Sequence, residues 1–262
     1  MHKWVTKQPL VTFCIAASVW VGFLYSGVIN APFQDDDISL IANNSILQSW
    51  HEVWLKRLLT PLPLGMGLSI KGEATYRPMV WILLAIERHV FGDQPGGFHL
   101  TGILLHGING VLLFVLLRRL GMRSLFAAVA SLIWLGLPIN SEAVAWVSGQ
   151  PYPLCMVFLL SALVLGLRFV RSGGWGWLLA FTIAALLADC SHEEGLLLVV
   201  LVAWGYVLLD EKRPWHRWVS LAGAGLLAAI SYFACVGQWV PVLVKVRITF
   251  GMLLKYFGGI SN

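Results

Sequence analysis

The run L10-V-T-F-C-I-A-A-S-V-W-V-G-F-L-Y-S-G-V-I29 decides what kind of molecule this is. It carries no charge, and as a helix rising 1.5 Å per residue it matches the roughly 30 Å hydrocarbon core of a bilayer. His2, Lys3 and Lys7 precede it, which a signal peptide would also show. The run exceeds the about 7–15 residues of a signal h-region, however, and no small-x-small cleavage site follows cleanly. An uncleaved anchor with a cytoplasmic N-terminus is expected.

The rest of the chain repeats the pattern. Of its 262 residues 58% are hydrophobic and only 12% charged, against about 25% charged in soluble domains. Further apolar runs lie near 98–117, 125–138, 153–167, 175–188, 195–209 and 218–236. The expected fold is an all-α polytopic membrane protein, one membrane domain over 1–262 with seven spans. On that topology Lys3, Lys7, Arg118, Arg119, Arg123, Arg168, Arg171, Lys212, Arg213 and Arg217 gather in short cytoplasmic connections, as the positive-inside rule requires. The net charge of +5 thus comes from flanking residues. No basic stripe is interleaved with surface aromatics, so nucleic acid is excluded as a partner. Cys14, Cys155, Cys190 and Cys235 fall in or beside apolar runs without CxxC spacing and read as small hydrophobes.

The acids go the other way. Only Asp210 and Glu211 fall inside, and the rest converge on the outer side, although Asp and Glu do not set topology. One long outer loop, about 30–97, holds several of them, and connections of that length usually carry function. It opens on F33-Q-D-D-D-I-S-L-I-A-N-N44, three adjacent carboxylates just beyond the anchor. Ser45-x-x-Gln48 has a capping-box pattern, followed by Ile46, Leu47, Trp50, Val53, Trp54 and Leu58 at helical spacing. With Lys56 and Arg57 beside them, they predict a helix lying in the membrane surface. A second helix is expected from Pro78 to a stop at Gly92. Residues 240–262 are expected to lie along the outer membrane surface.

Several residues here could do chemistry. Asp36 and Asp37 are adjacent carboxylates beside a fixed span, and a carboxylate so held suits the role of general base. The plainer reading is a solvated acidic loop. Arg77, after Tyr76 and before Pro78, puts a guanidinium at a helix start, an arrangement that holds phosphate. His99 and His106 share a helix face, and interhelical hydrogen bonding accounts for them better than a metal does. Glu142 and Glu193 stand at span ends, as plain turn residues also do. Their convergence on one side of the membrane makes them candidates together.

In this order the motifs resemble the GT-C superfamily of polytopic glycosyltransferases, closest to the TPR-bearing transmembrane O-mannosyltransferases and their bacterial relatives. Protein O-mannosyltransferases stand further off. The Asp-Asp pair before Ile-x-Asn-Asn is matched by Asp36-Asp37 and Ile41-Ala42-Asn43-Asn44. Tyr-Arg-Pro is Tyr76-Arg77-Pro78, and Phe/Tyr-His-Leu-x-Asn-x-Leu-Leu-His is Phe98 to His106. Glu-Ala-Val-Ala-Trp is Glu142 to Trp146, and Ser-Lys-Glu is approximated by Ser191-His192-Glu193. The resemblance covers nearly the whole chain. It implies a seven-span module and a polyprenyl-phosphate sugar as donor. Asp36, or else Asp37, would be the base toward an acceptor hydroxyl, and Arg77 would hold the phosphate leaving group. Tyr76, Glu142, His99, His106 and Glu193 would line the substrate site. A divalent cation is left open, and no metal ligands are assigned. Membrane lipid, lipid phosphate and other membrane subunits are the implied partners, in a bacterial inner membrane in preference to the endoplasmic reticulum.

The departures are specific. The family's His-Pro-x-His-x-Glu is Leu137-Pro138-Ile139-Asn140-Ser141-Glu142, without either histidine. Gly-Arg-Ala-Asp is Gly149-Gln150-Pro151-Tyr152, the helix Asn is Gly102, and the turn Lys is His192. The chain also ends near the end of the shared module. These changes support an alternative, a non-catalytic scaffold subunit of a membrane complex.

Overall fold

The structure, a computed structural model, describes residues 7–53, 76–208 and 214–236. Among them there are helices and no strands. The long helices are α1 (Lys7–Tyr25), α4 (Pro95–Arg119), α5 (Ser124–Leu135), α7 (Pro151–Ser172), α8 (Trp175–Asp189), α9 (Leu197–Leu208) and α10 (Trp215–Val236). Shorter helices are α2 (Trp50–Val53), α3 (Pro78–Phe91) and α6 (Ser141–Ala145). All seven apolar runs are thus helical, and the protein is an all-α polytopic membrane protein.

Among the described residues, fewer helices are long and apolar enough to cross than the seven spans expected. Pro9–Asn30, Pro95–Arg119, Val147–Ser172 and Trp215–Ala234 are long and apolar enough to cross. The bent pair Ser124–Leu135 and Pro138–Ala145, turned by 53°, makes a fifth when the two halves are counted as one span. Proline explains the break: Pro138 has no N–H for a continuing ladder, and its ring clashes with the preceding turn. The 15-residue α8 rises only about 22 Å, short of a roughly 30 Å core.

Two apolar cores organise the bundle. Phe13, Val21 and Tyr25 of α1 pack with Ile103 and Phe114 of α4 and with Ala127 and Leu135 of α5. The Phe13 and Phe114 rings stack at 4.4 Å. Phe169, Phe181, Val202, Trp218 and Leu221 join α7, α8, α9 and α10.

A third core ties the outer loop down and sets the site's position. Leu40, Ile41, Ile46, Leu47 and Val53 pack against Val80, Trp81 and Leu84 of α3 and Phe98 of α4. The Ile-x-Asn-Asn element becomes legible here. Ile41 is fully buried, while the Asn44 side chain donates to the Leu40 carbonyl and accepts from the Ile46 N–H. Asn44, not Ser45, is therefore the cap. The apolar face expected to rest on lipid is buried in protein at Ile46, Leu47 and Val53, with Trp50 at the surface on His89. Trp54, Lys56, Arg57 and Leu58 lie outside the described residues, as does the segment expected along the membrane at 240–262. Helix α3 starts at Pro78 and stops at Gly92, whose φ of 61° is a conformation glycine adopts without steric cost.

Candidate functional site

The three aspartates are not equivalent. Asp35 takes a left-handed φ of 44° and is exposed, and Asp36 is half-buried. This turn swings Asp37 inward, where it is buried. Its Oδ1 accepts the Ser148 backbone N–H at 2.8 Å and the Ser148 hydroxyl, and Oδ2 accepts the Gln34 N–H at 3.3 Å. Ser148 lies just past the Glu142–Trp146 motif, so two motifs more than a hundred residues apart meet at one carboxylate. An ionised carboxylate offers about four acceptor positions. Three are used to hold Asp37 in place, which leaves about one for a substrate hydroxyl.

A cavity of about 440 Å³ opens there, lined by Gln34, Asp35, Asp37, His99, Glu142 and Trp146 among others. Asp36, the first choice from the sequence, does not line it. His99 is buried, and its Nε2–H donates to the Ala31 carbonyl at 3.2 Å, tying α4 to the loop just before the aspartates. A second cavity of about 400 Å³ shares Glu142 and Trp146 with the first and adds His106, Asn109, Trp134, Tyr152 and Glu194. His106 Nε2–H donates to the Leu135 carbonyl at 3.0 Å, so His106 bonds helix to helix, whereas His99 bonds a loop carbonyl. Among the described residues no group of three or more His, Cys, Asp or Glu side chains is placed to hold a metal ion.

Beyond Glu194 stands a third group. Arg77 Nη2 meets Glu193 Oε2 at 2.7 Å, with Nε 3.2 Å from the same oxygen. The Tyr-Arg-Pro and Ser-His-Glu motifs therefore also meet. A backbone bond from the Met79 N–H to the Cys190 carbonyl docks α3 on this turn, and the Tyr232 hydroxyl of α10 donates to the Tyr76 carbonyl just before it. Burial works against the Glu193 carboxylate's charge, but the Arg77 hydrogen bond and charge win and hold it below the usual range. Burial and then the Arg77 charge keep His192 neutral below its ordinary range, against the pull of Glu193 and Glu194. His192 Nδ1 accepts the Glu194 N–H, so the ring proton sits on Nε2, 3.6 Å from Glu193. Glu193 uses the Nε and Nη2 edge of Arg77, and among the described residues the Nη1 edge of this half-buried guanidinium is left for another oxyanion.

Sequence reasoning missed Ser148, Asn109 and the pair Glu87–Gln150. Glu87 is buried on α3, at helical spacing from Trp81 and Leu84, and a charge on an apolar face is the signal that could have revealed it. Gln150 Nε2 donates to Glu87 Oε1 at 2.9 Å and to the Phe98 carbonyl at 2.8 Å. Burial pushes Glu87 up to about 8 despite the hydrogen bonds from Gln150 and Thr101. Two family departures meet here. A Cβ at Gly102 would lie 3.0 Å from the Val144 carbonyl oxygen, so a larger residue there needs that backbone to shift by a few tenths of an ångström, while the Gln150 side chain at 3.9 Å is in ordinary contact.

Comparison with known proteins agrees with the motifs. The chain is similar to Protein O-mannosyl-transferase TMTC3 of Homo sapiens, 26% identical over 213 residues covering 76% of this chain and 22% of that protein. It is similar to Protein O-mannosyl-transferase TMTC4 of Homo sapiens, 30% identical over 232 residues covering 74% and 30%. Protein O-mannosyl-transferase tmtc2 of Xenopus laevis is 24% identical over 238 residues covering 86% and 27%. The chain thus spans between about a fifth and a third of the length of these relatives. No protein-family model and no solved structure matches. The likeness supports a glycosyltransferase-like relationship.

Proposed function

We propose that this chain is the membrane module of a GT-C-type glycosyltransferase. It would transfer a sugar from a polyprenyl-phosphate carrier to an acceptor hydroxyl on the non-cytoplasmic face. The observation that carries the reading is Asp37. It is a buried carboxylate held by three hydrogen bonds at the wall of a cavity it shares with Glu142 and His99. As the acceptor oxygen bonds to the anomeric carbon, Asp37 takes the hydroxyl proton. The bond from that carbon to the phosphate oxygen breaks, and the electron pair leaves with the polyprenyl phosphate. Direct displacement of this kind inverts the anomeric centre. Arg77, through its Nη1 edge, is suited to the phosphate charge, and a fixed guanidinium favours an oxyanion more than water does.

The scaffold reading is favoured by one observation. Gln150, where the family has arginine, is spent on Glu87 and Phe98 inside the fold. Incubating the purified chain in nanodiscs with a radiolabelled mannosyl-phosphoryl polyprenol and hydroxyl-bearing acceptor peptides separates the two. Label on peptide is the expected result. A well-folded chain that binds the lipid but never transfers would favour the scaffold.

A further inference from the structure

At the basic end of the bundle a groove of about 300 Å³ runs between α4, α7, α8, α9 and α10. Every residue lining it is apolar or glycine, among them Leu116, Leu163, Phe181, Leu201, Trp204 and Trp218. Gly166 and Gly205 form part of its wall, where a Cβ would lie 3.2 Å from the Phe181 ring and 3.3 Å from the Trp218 ring. Both rings are thus set back against helix backbone. Leu201 and Trp204 of α9 are 40% and 63% exposed, so the groove opens to the surroundings on that side.

Its depth is that of one leaflet. It starts at Leu120, Leu208 and Trp218, at the ends of α4, α9 and α10, and reaches Leu163 and Phe181 near the middles of α7 and α8. From Leu163 to its end at Ser172, α7 rises about 14 Å, close to half of a roughly 30 Å hydrocarbon core.

Arginines gather at the mouth. Arg119, Arg168 and Arg217 are chain neighbours of Leu120, Leu167 and Trp218, which line the groove. Arg171 Nη2 donates to the Arg119 carbonyl, Arg217 Nη1 donates to the Val170 carbonyl at 3.0 Å, and the Arg168 guanidinium lies 3.9 Å over the Trp177 ring. Arg119 and Arg168 stand near enough for their charges to repel. Among the described residues Arg119 and Arg217 form no ion pair with an acid, and both are half-buried, so part of each is accessible. Helix C-termini and the positive-inside rule both favour basic residues here. Neither asks them to collect beside an apolar groove.

We infer that an anionic phospholipid of the leaflet at this end occupies the site, with one acyl chain in the groove and its phosphate on Arg119 and Arg217. Hydrocarbon suits walls that offer no polar partner. The donor fork of a guanidinium suits phosphate oxygens, and basic pockets between helices at a membrane surface hold anionic headgroups. A zwitterionic lipid would fill the groove as well but would bring its own cation to the arginines. The site lies at the opposite end of the bundle from Asp37 and Arg77, so it goes beyond the glycosyltransferase reading and does not depend on it.

The test is native mass spectrometry of the delipidated full chain, titrated with dioleoyl phosphatidylglycerol, dioleoyl phosphatidylcholine and inorganic phosphate. The readout is the ratio of the two lipid affinities, and wild type should favour phosphatidylglycerol. Arg119→Gln should cut that preference about tenfold, the worth of one hydrogen bond to a charged group, and Arg217→Gln should act likewise. Arg123→Gln removes the same charge from an exposed position outside the groove and should leave the ratio as it is. Leu201→Trp places a larger ring in the groove and should weaken both lipids alike. An unaltered ratio in both Arg119→Gln and Arg217→Gln, or an equal loss in Arg123→Gln, overturns the headgroup site. Undiminished binding of both lipids by folded Leu201→Trp, or inorganic phosphate held as tightly as phosphatidylglycerol, overturns the chain in the groove. If Leu201→Trp unfolds, dihexanoyl phosphatidylglycerol decides in its place, and an affinity equal to that of the dioleoyl lipid overturns the same claim.

Discussion

Asp35, Asp36 and Asp37 carry the same side chain but occupy three different environments. Composition and spacing make the triad conspicuous, yet they cannot show which carboxylate turns inward. That depends on the left-handed turn at Asp35 and on Ser148, whose sequence position gives no hint of contact. Arg77 is the opposite case. Its place before Pro78 was legible, while its Glu193 partner, brought in by the turn between α8 and α9, was not. Arg77→Lys keeps the charge but gives up the planar fork that grips Glu193 with one edge and a second oxyanion with the other. Retention of bare polyprenyl phosphate, measured by lipid binding to the purified chain, should fall about tenfold in that variant, the worth of one hydrogen bond to a charged group. Undiminished retention in both the Lys and Ala variants would remove Arg77 from phosphate binding.

Helix α3 shows what an element's ends and faces reveal. Pro78 and Gly92 marked its limits from the sequence, because one residue suits a first turn and the other a left-handed stop. Its docking was hidden, since the Cys190 carbonyl and the Tyr232 hydroxyl that hold it come from distant helices. Glu87 on its buried face gives the element a pH dependence. The unfolded carboxyl ionises near 4.5, whereas in the fold burial pushes it up to about 8. Between those values the unfolded chain binds fewer protons than the folded one, so stability falls as pH rises, by roughly 1.4 kcal/mol per unit at most. Glu87→Gln keeps the shape and the acceptor for Gln150 without a charge, and its stability should stay nearly level across that window. Thermal unfolding of the solubilised proteins at pH 5 and pH 8.5 measures the difference. Parallel curves for wild type and variant would show that Glu87 is not the titrating group.

Among the described residues most of the charge separates by sign, with Arg77 and Arg88 paired to acids at the acidic end. Asp35, Asp36, Asp37, Glu52, Glu87, Asp93, Glu142, Asp189, Glu193 and Glu194 all lie in or beside the connections at one end of the bundle. Arg118, Arg119, Arg123, Arg168, Arg171 and Arg217 lie at the other. This asymmetry was legible because flanking charge and apolar runs are local properties of the sequence. The bend at Pro138 and the shortness of α8 were less so, since an apolar run does not state where its helix ends. Single cysteines at Gln48 and Arg123 in a cysteine-free background test the orientation in intact cells. A membrane-impermeant maleimide should label position 48 and spare position 123, and the reverse pattern would invert the topology. The central claim is that Asp37 is the base, and the most direct measurement is the rate of sugar transfer from a polyprenyl-phosphate donor by folded Asp35→Asn, Asp36→Asn and Asp37→Asn chains. Asp37→Asn should lose about 10²–10⁴-fold, the usual worth of a positioned base, with the other two within about tenfold of wild type. Full activity in Asp37→Asn, or an equal loss in all three, would contradict it.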